Sequence, residues 1–401
     1  MQYVVLIAAG CWWLLSAAVF VNLLASPPLP LRKPSAEHEP LPEPLPPEPL
    51  PPEPLPHEPL PTVSVIVAAR DEGARIEQTL RWLLAQQNVA LDLTVVDDRS
   101  TDATPQILDR LAAEFDRLHV LHIESLPDGW LGKCHALWRG AEHARGEWIL
   151  LADADIHMAP DLVGRAIATA RAERADHLCL WPAINCSGAA TRGVMLAWSQ
   201  CLALYAPAWQ INRDRGHRAI GIGAFNLVRR EAYRAIGGHE PLRLEVVEDA
   251  KLGLLLRRAG FRQRIYTGLA DLEAEWALSL AGSVRAVEKN WFAALHYSIA
   301  KSALVILFVA ALIGVSIAAP WLAPPPIGWI GLASLWAPAI PGVIQLRRAR
   351  WPAWVLPLVP LGFLLFCWAG VHSTTKTLRQ GGIRWRDTFY TLAELRRGMV
   401  R

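Results

Sequence analysis

From Thr62 onward short apolar runs alternate with amphipathic stretches, and this alternation limits the fold more than any other feature of the chain. Val63 to Ala69 reads as a strand, Arg75 to Gln87 as a helix and Leu93 to Val96 as a strand. Thr104 to Phe115 follows as a helix, His119 to Ile123 as a strand, Leu137 to Ala144 as a helix and Trp148 to Ala152 as a strand. Strands interleaved with helices need crossover connections, which predicts an α/β domain whose parallel sheet is covered on both faces. An all-helical reading fails because several runs are only about four to seven residues long, β-branched and closed by acidic residues.

Those acidic residues carry the chemistry. Asp97 and Asp98 end the run Leu93-Thr94-Val95-Val96, while Asp153 and Asp155 follow Trp148-Ile149-Leu150-Leu151-Ala152. Carboxyl ends of strands are where open α/β sheets bind ligands. Magnesium and manganese take one or two carboxylates and fill the remaining positions with water and phosphate oxygens, a demand that Asp153-Ala154-Asp155 meets. The pattern points to a nucleotide-activated substrate. A phosphatase nucleophile would also be an aspartate, but its supporting residues are missing.

The neighbouring residues divide between structural and chemical readings. Ser100 and Asp102 suit the capping of a helix starting near Ala103, which accounts for them but not for like charges paired at a strand end. Lys133 stands in Gly129-Trp130-Leu131-Gly132-Lys133-Cys134, a loop from which it could meet a diphosphate, although the spacing is not that of a P-loop. Glu248 and Asp249 precede the helical stretch Ala250 to Ala259, where the helix dipole favours acids. Asp249 also suits a general base in a partly buried cleft. Gly221-Ile222-Gly223-Ala224-Phe225-Asn226 permits the close backbone approach of a substrate-lining loop.

With 52% hydrophobic and 19% charged residues, the chain has apolar segments beyond what one core requires. Tyr3 to Leu24 is uncharged and long enough to span a bilayer, and Met1-Gln2-Tyr3 lacks the positive start of a cleaved signal, so an anchor is expected. Arg32 and Lys33 place the following chain in the cytoplasm. Pro-Glu-Pro-Leu repeats then predict an extended polyproline spacer. Three more apolar stretches run from Ala303 to Leu322, Ile327 to Leu346 and Trp354 to His372.

The expected organisation is an anchor over 1–25, a linker over 26–61, a catalytic domain over 62–285 and an interfacial segment over 286–302. Membrane segments over 303–372 and a basic tail over 373–401 complete it. Three full spans would export that tail despite its arginines, so a cytoplasmic tail requires one stretch to be re-entrant or interfacial. A net charge of +3 without a basic stripe argues against nucleic acid as a partner. Six scattered cysteines without C-x-x-C spacing read as reduced thiols.

Taken in order, Val65-Ile66-Val67-Ala68-Ala69-Arg70-Asp71-Glu72, Val95-Val96-Asp97-Asp98-Arg99-Ser100-Thr101-Asp102, Lys133, Asp153-Ala154-Asp155, the Gly221 loop with Arg229-Arg230, Gly237-Gly238 and Glu248-Asp249 resemble family 2 glycosyltransferases. The likeness runs from about Thr62 to Gly268. It implies a GT-A fold, a nucleotide-binding mixed and mostly parallel sheet, here with N-terminal and C-terminal transmembrane helices, and transfer that inverts the anomeric centre. Carried over by position, Asp97, Asp98, Glu72 and Lys133 hold the nucleotide, and Asp153 with Asp155 holds Mn2+ or Mg2+ on the diphosphate. Asp249, beside Glu248, is the base, and Gly221, Gly223 and Trp291 lie on the acceptor side.

Processive members of that family carry Q-x-x-R-W, where this chain has Val287-Glu288-Lys289-Asn290-Trp291, so transfer of a single sugar is expected. The tail Gly382-Ile383-Arg384-Trp385-Arg386-Asp387-Thr388-Phe389-Tyr390 is similar to the branch associated with hopanoid and carotenoid lipids. The resemblance thus implies a UDP- or GDP-sugar donor and a lipid hydroxyl or carboxyl as acceptor. It places the enzyme as a multi-pass protein of the inner membrane with its catalytic domain in the cytoplasm. A nucleotidyltransferase on a related sheet and a non-catalytic membrane scaffold are the alternatives.

Overall fold

In the computed structural model the described residues are 1–30, 59–214, 216–275 and 279–400. The proline-rich spacer, with Arg32 and Lys33, lies outside them up to residue 58. Ten strands precede the C-terminal helices: β1 Thr62–Ala69, β2 Ala90–Asp98, β3 Leu118–Ile123, β4 Trp148–Ala152, β5 Ile156–Met158, β6 His177–Trp181, β7 Ala183–Ile184, β8 Asn226–Arg229, β9 Gln263–Thr267 and β10 Leu272–Ala274. Seven of them form one sheet in the order β3-β2-β1-β4-β8-β6-β9, and β5-β10-β7 form a smaller one. The large sheet is parallel except for β8, which runs antiparallel to both β4 and β6.

Register explains why the acidic residues share an edge. Ala69 pairs with Asp97, and Val67 with Ala152, so β1, β2 and β4 all release their carboxyl ends on one side. Because β8 is antiparallel, with Asn226 opposite Leu151, its amino end and the preceding Gly221 loop reach that same side. Apolar side chains fix this register: Val65, Val67, Leu93, Val95 and Leu150 are fully buried, and a one-residue slip would turn each to the other face. The helix Ile76–Leu84 covers them with Ile76, Leu80, Leu83 and Leu84, an apolar stripe at i, i+4, i+7 and i+8.

Four helical segments are long and apolar enough to cross a membrane: Gln2–Leu24, Ile299–Leu322, Ile327–Ala349 and Ala353–Gln380. Within the third, a 3-10 turn at Ser334–Trp336 separates the helices Ile327–Ala333 and Ala339–Ala349. The first helix ends at the α/β domain, where Asn22 Nδ2 donates to the Ala203 carbonyl at 3.0 Å. The helix Ile299–Leu322 leads away from the domain, and Ala319 there meets Val5 around Gly331, which has no side chain to block them. The third segment returns, since the Arg348 guanidinium donates to the Leu23 carbonyl at 2.8 Å.

The fourth segment behaves differently. Its helix Val359–Gln380 starts level with the middle of the first helix, where Phe363 meets Trp12 edge-on at 5.5 Å between ring centres. By Thr374, bonded to Ser302 at 2.7 Å, it is back at the domain end. This last segment therefore dips into the bundle and returns, an arrangement compatible with a tail on the side of the α/β domain. The tail forms a hairpin of β11 Gly382–Trp385 and β12 Thr388–Thr391, then the helix Leu392–Gly398 started by a Thr391–Glu394 capping box. Tyr390 donates its hydroxyl proton to the Trp130 carbonyl at 2.9 Å, so tail and α/β domain lie on the same side of the bundle.

Two further elements depart from the sequence reading. The helix Leu280–Ala294 runs unbroken across the expected division at 285/286. A 17-residue helix, Ala189–Tyr205, had no periodic signal strong enough to single it out. It buries Val194, Leu196 and Ala197 against the last apolar helix, and Gly362 permits the contact because a Cβ there would lie 2.2 Å from the Gly193 carbonyl oxygen.

Candidate active site

At the shared sheet edge, backbone and side chains interlock around two glycines. The Asp153 amide donates to the Gly223 carbonyl at 3.1 Å, and the Gly223 amide donates to Asp249 Oδ2 at 2.8 Å. A Cβ on Gly223 would lie 2.7 Å from Asp153 Oδ2, and one on Gly221 would lie 2.0 Å from the Asp249 carbonyl oxygen. Only glycine permits so close an approach of this loop to two acidic segments. Asp249 opens the helix Glu248–Arg258, and its Oδ1 accepts the Ala250 amide at 2.7 Å.

Lys133, in the first turn of the helix Gly132–Glu142, is the cation of this crevice. Its ammonium lies 2.6 Å from Asp153 Oδ1 and 2.8 Å from Glu248 Oε1. Burial works against that charge, but Asp153, Glu248 and Asp249 together override it and hold the lysine well above its ordinary value. Lys133, expected to approach the nucleotide, lines the crevice with two carboxylate partners. Asn226 and His239 also line the crevice. His239 is held neutral, pushed down to about 3 by burial and then by Lys133, and its Nδ1 shares a 2.7 Å hydrogen bond with the Tyr233 hydroxyl.

The carboxyls here resist ionisation. Burial and then the charge of Glu248 push Asp249 upward; burial and then Asp153 do the same to Asp155. Glu72 is pushed up to about 7, first by burial and then by Asp155. An excess of buried negative charge of this kind marks a site made for a cationic or protonated occupant.

Asp97 and Asp98 occupy the adjoining part of the edge. Asp98 pairs with Arg99 at 2.9 Å and lies 3.8 Å from Arg70, and it abuts Gly132, where a Cβ would come within 2.1 Å of Oδ2. Asp97 accepts the Ser100 amide at 3.1 Å and holds His122 at 2.9 Å. The loops after β1 and β2 are laced together: Ser100 Oγ accepts the Asp71 amide at 3.0 Å, and Asp102 accepts the amides of Gly73 and Thr104, each at 2.9 Å. Asp102 thus serves the helix Thr104–Glu114 as expected of a cap, whereas Ser100 holds the neighbouring loop.

The structure brings Glu72, Lys133, Asp153, Asp155, Gly221, Gly223, Glu248 and Asp249 together, with Asp97 and Asp98 beside them. It does not bring Trp291. That indole is packed within the helical bundle against Gly370 and Phe366 and donates to Ser302 Oγ at 2.9 Å, contacts that satisfy an apolar ring with one polar atom. Arg70 and Arg386, both beside Glu72 or Asp98, were missed; the tail motif containing Arg386 was the available signal.

Among the described residues no three His, Cys, Asp or Glu side chains are grouped to hold a metal ion. The donor set nevertheless fits Mg2+ or Mn2+, which ordinarily take one or two carboxylates plus substrate phosphates. Asp153 is in direct contact with Lys133, whereas Asp155 feels Lys133 and Arg75 only through their charge.

Residues 64–237 match the family described as Glycosyl transferase family 2. Over 103 residues the chain is 39% identical to a beta-monoglucosyldiacylglycerol synthase of Nostoc sp., covering 25% of this chain and 22% of that one. Over 208 residues it is 24% identical to a 4,4'-diaponeurosporenoate glycosyltransferase of Staphylococcus aureus, covering 52% and 54% respectively. The match thus spans about a fifth of the first relative and about half of the second. Among solved structures, a mannosyltransferase from Pyrobaculum calidifontis in complex with GDP-Man and Mn2+ superposes with a TM-score of 0.53 at 16% identity, over 93% of this chain and 98% of that one. That likeness is one of fold.

Proposed function

Since residues 64–237 make the chain a member of glycosyl transferase family 2, we propose that it moves one sugar from a UDP- or GDP-sugar to a hydroxyl or carboxyl of a lipid acceptor at the inner leaflet, with inversion. The observation that carries this reading is the convergence of Lys133, Asp153, Glu248 and Asp249 in one crevice at the carboxyl edge of the sheet, with Asp155 within the field of Asp153 and Lys133. A lipid acceptor is supported by the four apolar helical segments, and by relatives named for a glycolipid synthase and a carotenoid glycosyltransferase.

Asp249 has the attributes of a base. Each carboxylate oxygen is fixed by one backbone amide, which leaves a lone pair on each, and its raised affinity for protons suits transfer near neutral pH. It takes the proton of an acceptor hydroxyl as that oxygen attacks the anomeric carbon; a carboxylate acceptor would need no such removal. Lys133 pairs with both Asp153 and Glu248 and fixes their positions. Asp155, with Asp153, would hold Mn2+ or Mg2+, which when bound neutralises charge developing on the departing diphosphate. Single transfer is supported by Val287 and Asn290 standing where processive enzymes carry glutamine and arginine.

The test is a screen of UDP- and GDP-sugars with Mn2+ on the purified full-length protein, reading donor hydrolysis and labelled lipid. Asp155→Ala should abolish both while the protein stays folded. Pyrophosphate release from a nucleoside triphosphate and a sugar phosphate would instead indicate nucleotidyl transfer, and no metal-dependent turnover of any donor would leave a scaffold.

A further inference from the structure

We propose that the C-terminal hairpin is part of the donor site and that Arg386, at its tip, binds the donor's diphosphate. This rests on the sugar-transfer reading above, and it adds a residue far outside the family-matched segment. Arg386 is the first residue of the two-residue turn between β11 and β12, where its φ of +54° suits a tight hairpin and fixes the place of its side chain. Its guanidinium is anchored through one donor, Nη2 to the Arg70 carbonyl at 3.0 Å. The remaining contacts are loose: Asp71 and Glu72 both lie 3.8 Å away, and 44% of the side chain is exposed. Charge-assisted contacts close to about 2.7–2.9 Å when made, so most of this fork is open.

Position and chemistry agree on what fills it. Glu72 lies within the field of both Arg386 and the Asp153–Asp155 pair, so the guanidinium borders the place where the diphosphate would meet those aspartates. Of the other cations there, Lys133 is already shared between Asp153 and Glu248, and Arg75 is paired with Glu275 at 2.8 Å. A planar fork suits two phosphate oxygens better than an ammonium does. Arg70, paired with Asp387 of the same turn, adds a second observation: it is buried, yet its Nε has no hydrogen-bond partner among the described residues. The hairpin follows directly from the helix Val359–Gln380 and is pinned by Tyr390 to Trp130, so the last apolar segment reaches the α/β domain through its own end.

The experiment measures binding of UDP, UMP, GDP and GMP, with Mn2+, to the full-length protein in detergent, for the wild type, Arg386→Gln and Arg386→Lys. For the nucleotide that the wild type prefers, Arg386→Gln should weaken the diphosphate about tenfold or more, with the monophosphate changed by less than about threefold. Arg386→Lys, which keeps the charge but not the fork, should fall between the two and decides the matter if the glutamine variant does not fold. An unchanged preference for diphosphate over monophosphate in either folded variant overturns the assignment, as does an equal loss of both ligands. A wild type that binds neither nucleoside diphosphate refutes the sugar-transfer reading itself, whereas binding by the wild type with unaltered variants refutes only the role of Arg386.

Discussion

Replacing Asp249 by asparagine should separate catalysis from folding. Both carboxylate oxygens accept backbone amides, from Gly223 at 2.8 Å and Ala250 at 2.7 Å. An asparagine can present its carbonyl to only one of them and turns an N–H toward the other, losing a charge-assisted bond worth about 1.5–3 kcal/mol. Against this, a carboxyl raised from 3.8 to about 6 holds its charge at neutral pH at a cost on the order of 3 kcal/mol, which the amide does not carry. The two nearly cancel, so stability at pH 7.5 should change by less than about 1.5 kcal/mol. Loss of the base should lower kcat by about 10²–10⁴-fold while donor binding persists.

The sign of the pH dependence follows from the same group. Asp249 titrates higher in the folded chain than in the unfolded one, so the native state binds more protons between pH 4 and about 6. Its contribution to stability therefore rises as pH falls through that window, and the asparagine variant lacks this rise. Transfer by the wild type moves the other way, declining below about pH 6 as the base becomes protonated. Thermal melts and transfer rates from pH 4.5 to 8 for both proteins check the argument. A variant retaining more than about a tenth of wild-type kcat would refute the role of the base, given what proton transfer ordinarily contributes. Loss of donor binding would make Asp249 a structural residue.

The remaining expectations address other parts of the site and the bundle. Gly223→Ala brings a methyl to 2.7 Å from Asp153 Oδ2, so the carboxylate must shift from Lys133; kcat should fall roughly 10–100-fold, with a stability loss of about 1–3 kcal/mol measured by melting. Trp291→Phe removes the bond to Ser302 inside the bundle and should cost about 1–2 kcal/mol of stability while leaving kcat within about threefold, as assayed on lipid acceptor. A reporter fused to the C-terminus should read on the same side of the membrane as one inserted before Thr62, because the tail hairpin touches the α/β domain; opposite readings would exclude the re-entrant segment. Chelation of divalent ions should weaken donor binding in the wild type and leave Asp155→Ala unaffected, as seen by titration calorimetry.

The strands β1 to β4 were legible from their short apolar runs, two of which close in acids, and β4 runs from Trp148 to Ala152, the bounds read from its apolar run; β5 to β10 were not singled out. The antiparallel direction of β8 was not legible, since Asn226-Leu227-Val228-Arg229 is short and apolar whichever way it runs, and direction is set by its neighbours. The bundle was half legible. Hydropathy found every apolar stretch, but whether a stretch crosses or turns back depends on contacts such as Phe363 with Trp12 and Thr374 with Ser302, which join residues far apart in the chain. Basic residues in the tail signalled the parity problem, and packing places the tail beside the α/β domain.

The site residues divide along the same line. Carboxylates were legible because an acid closing a buried strand is conspicuous. The partners that decide their behaviour were not, because Lys133 carries no mark of having Asp153 and Glu248 as its neighbours rather than solvent. Placing it changes the electrostatic argument: Asp153, Glu248 and Asp249 crowd one ammonium, and Asp249, Asp155 and Glu72 are pushed toward protonation first by burial and then by a neighbouring carboxylate. An anionic diphosphate entering such a crevice meets like charge unless positive charge arrives with it or waits at its rim. On the proposed reading, Asp155 would offer a place for the first and Arg386 would stand at the second, so the divalent cation that Asp153-Ala154-Asp155 called for in the sequence is joined by an arginine from the tail.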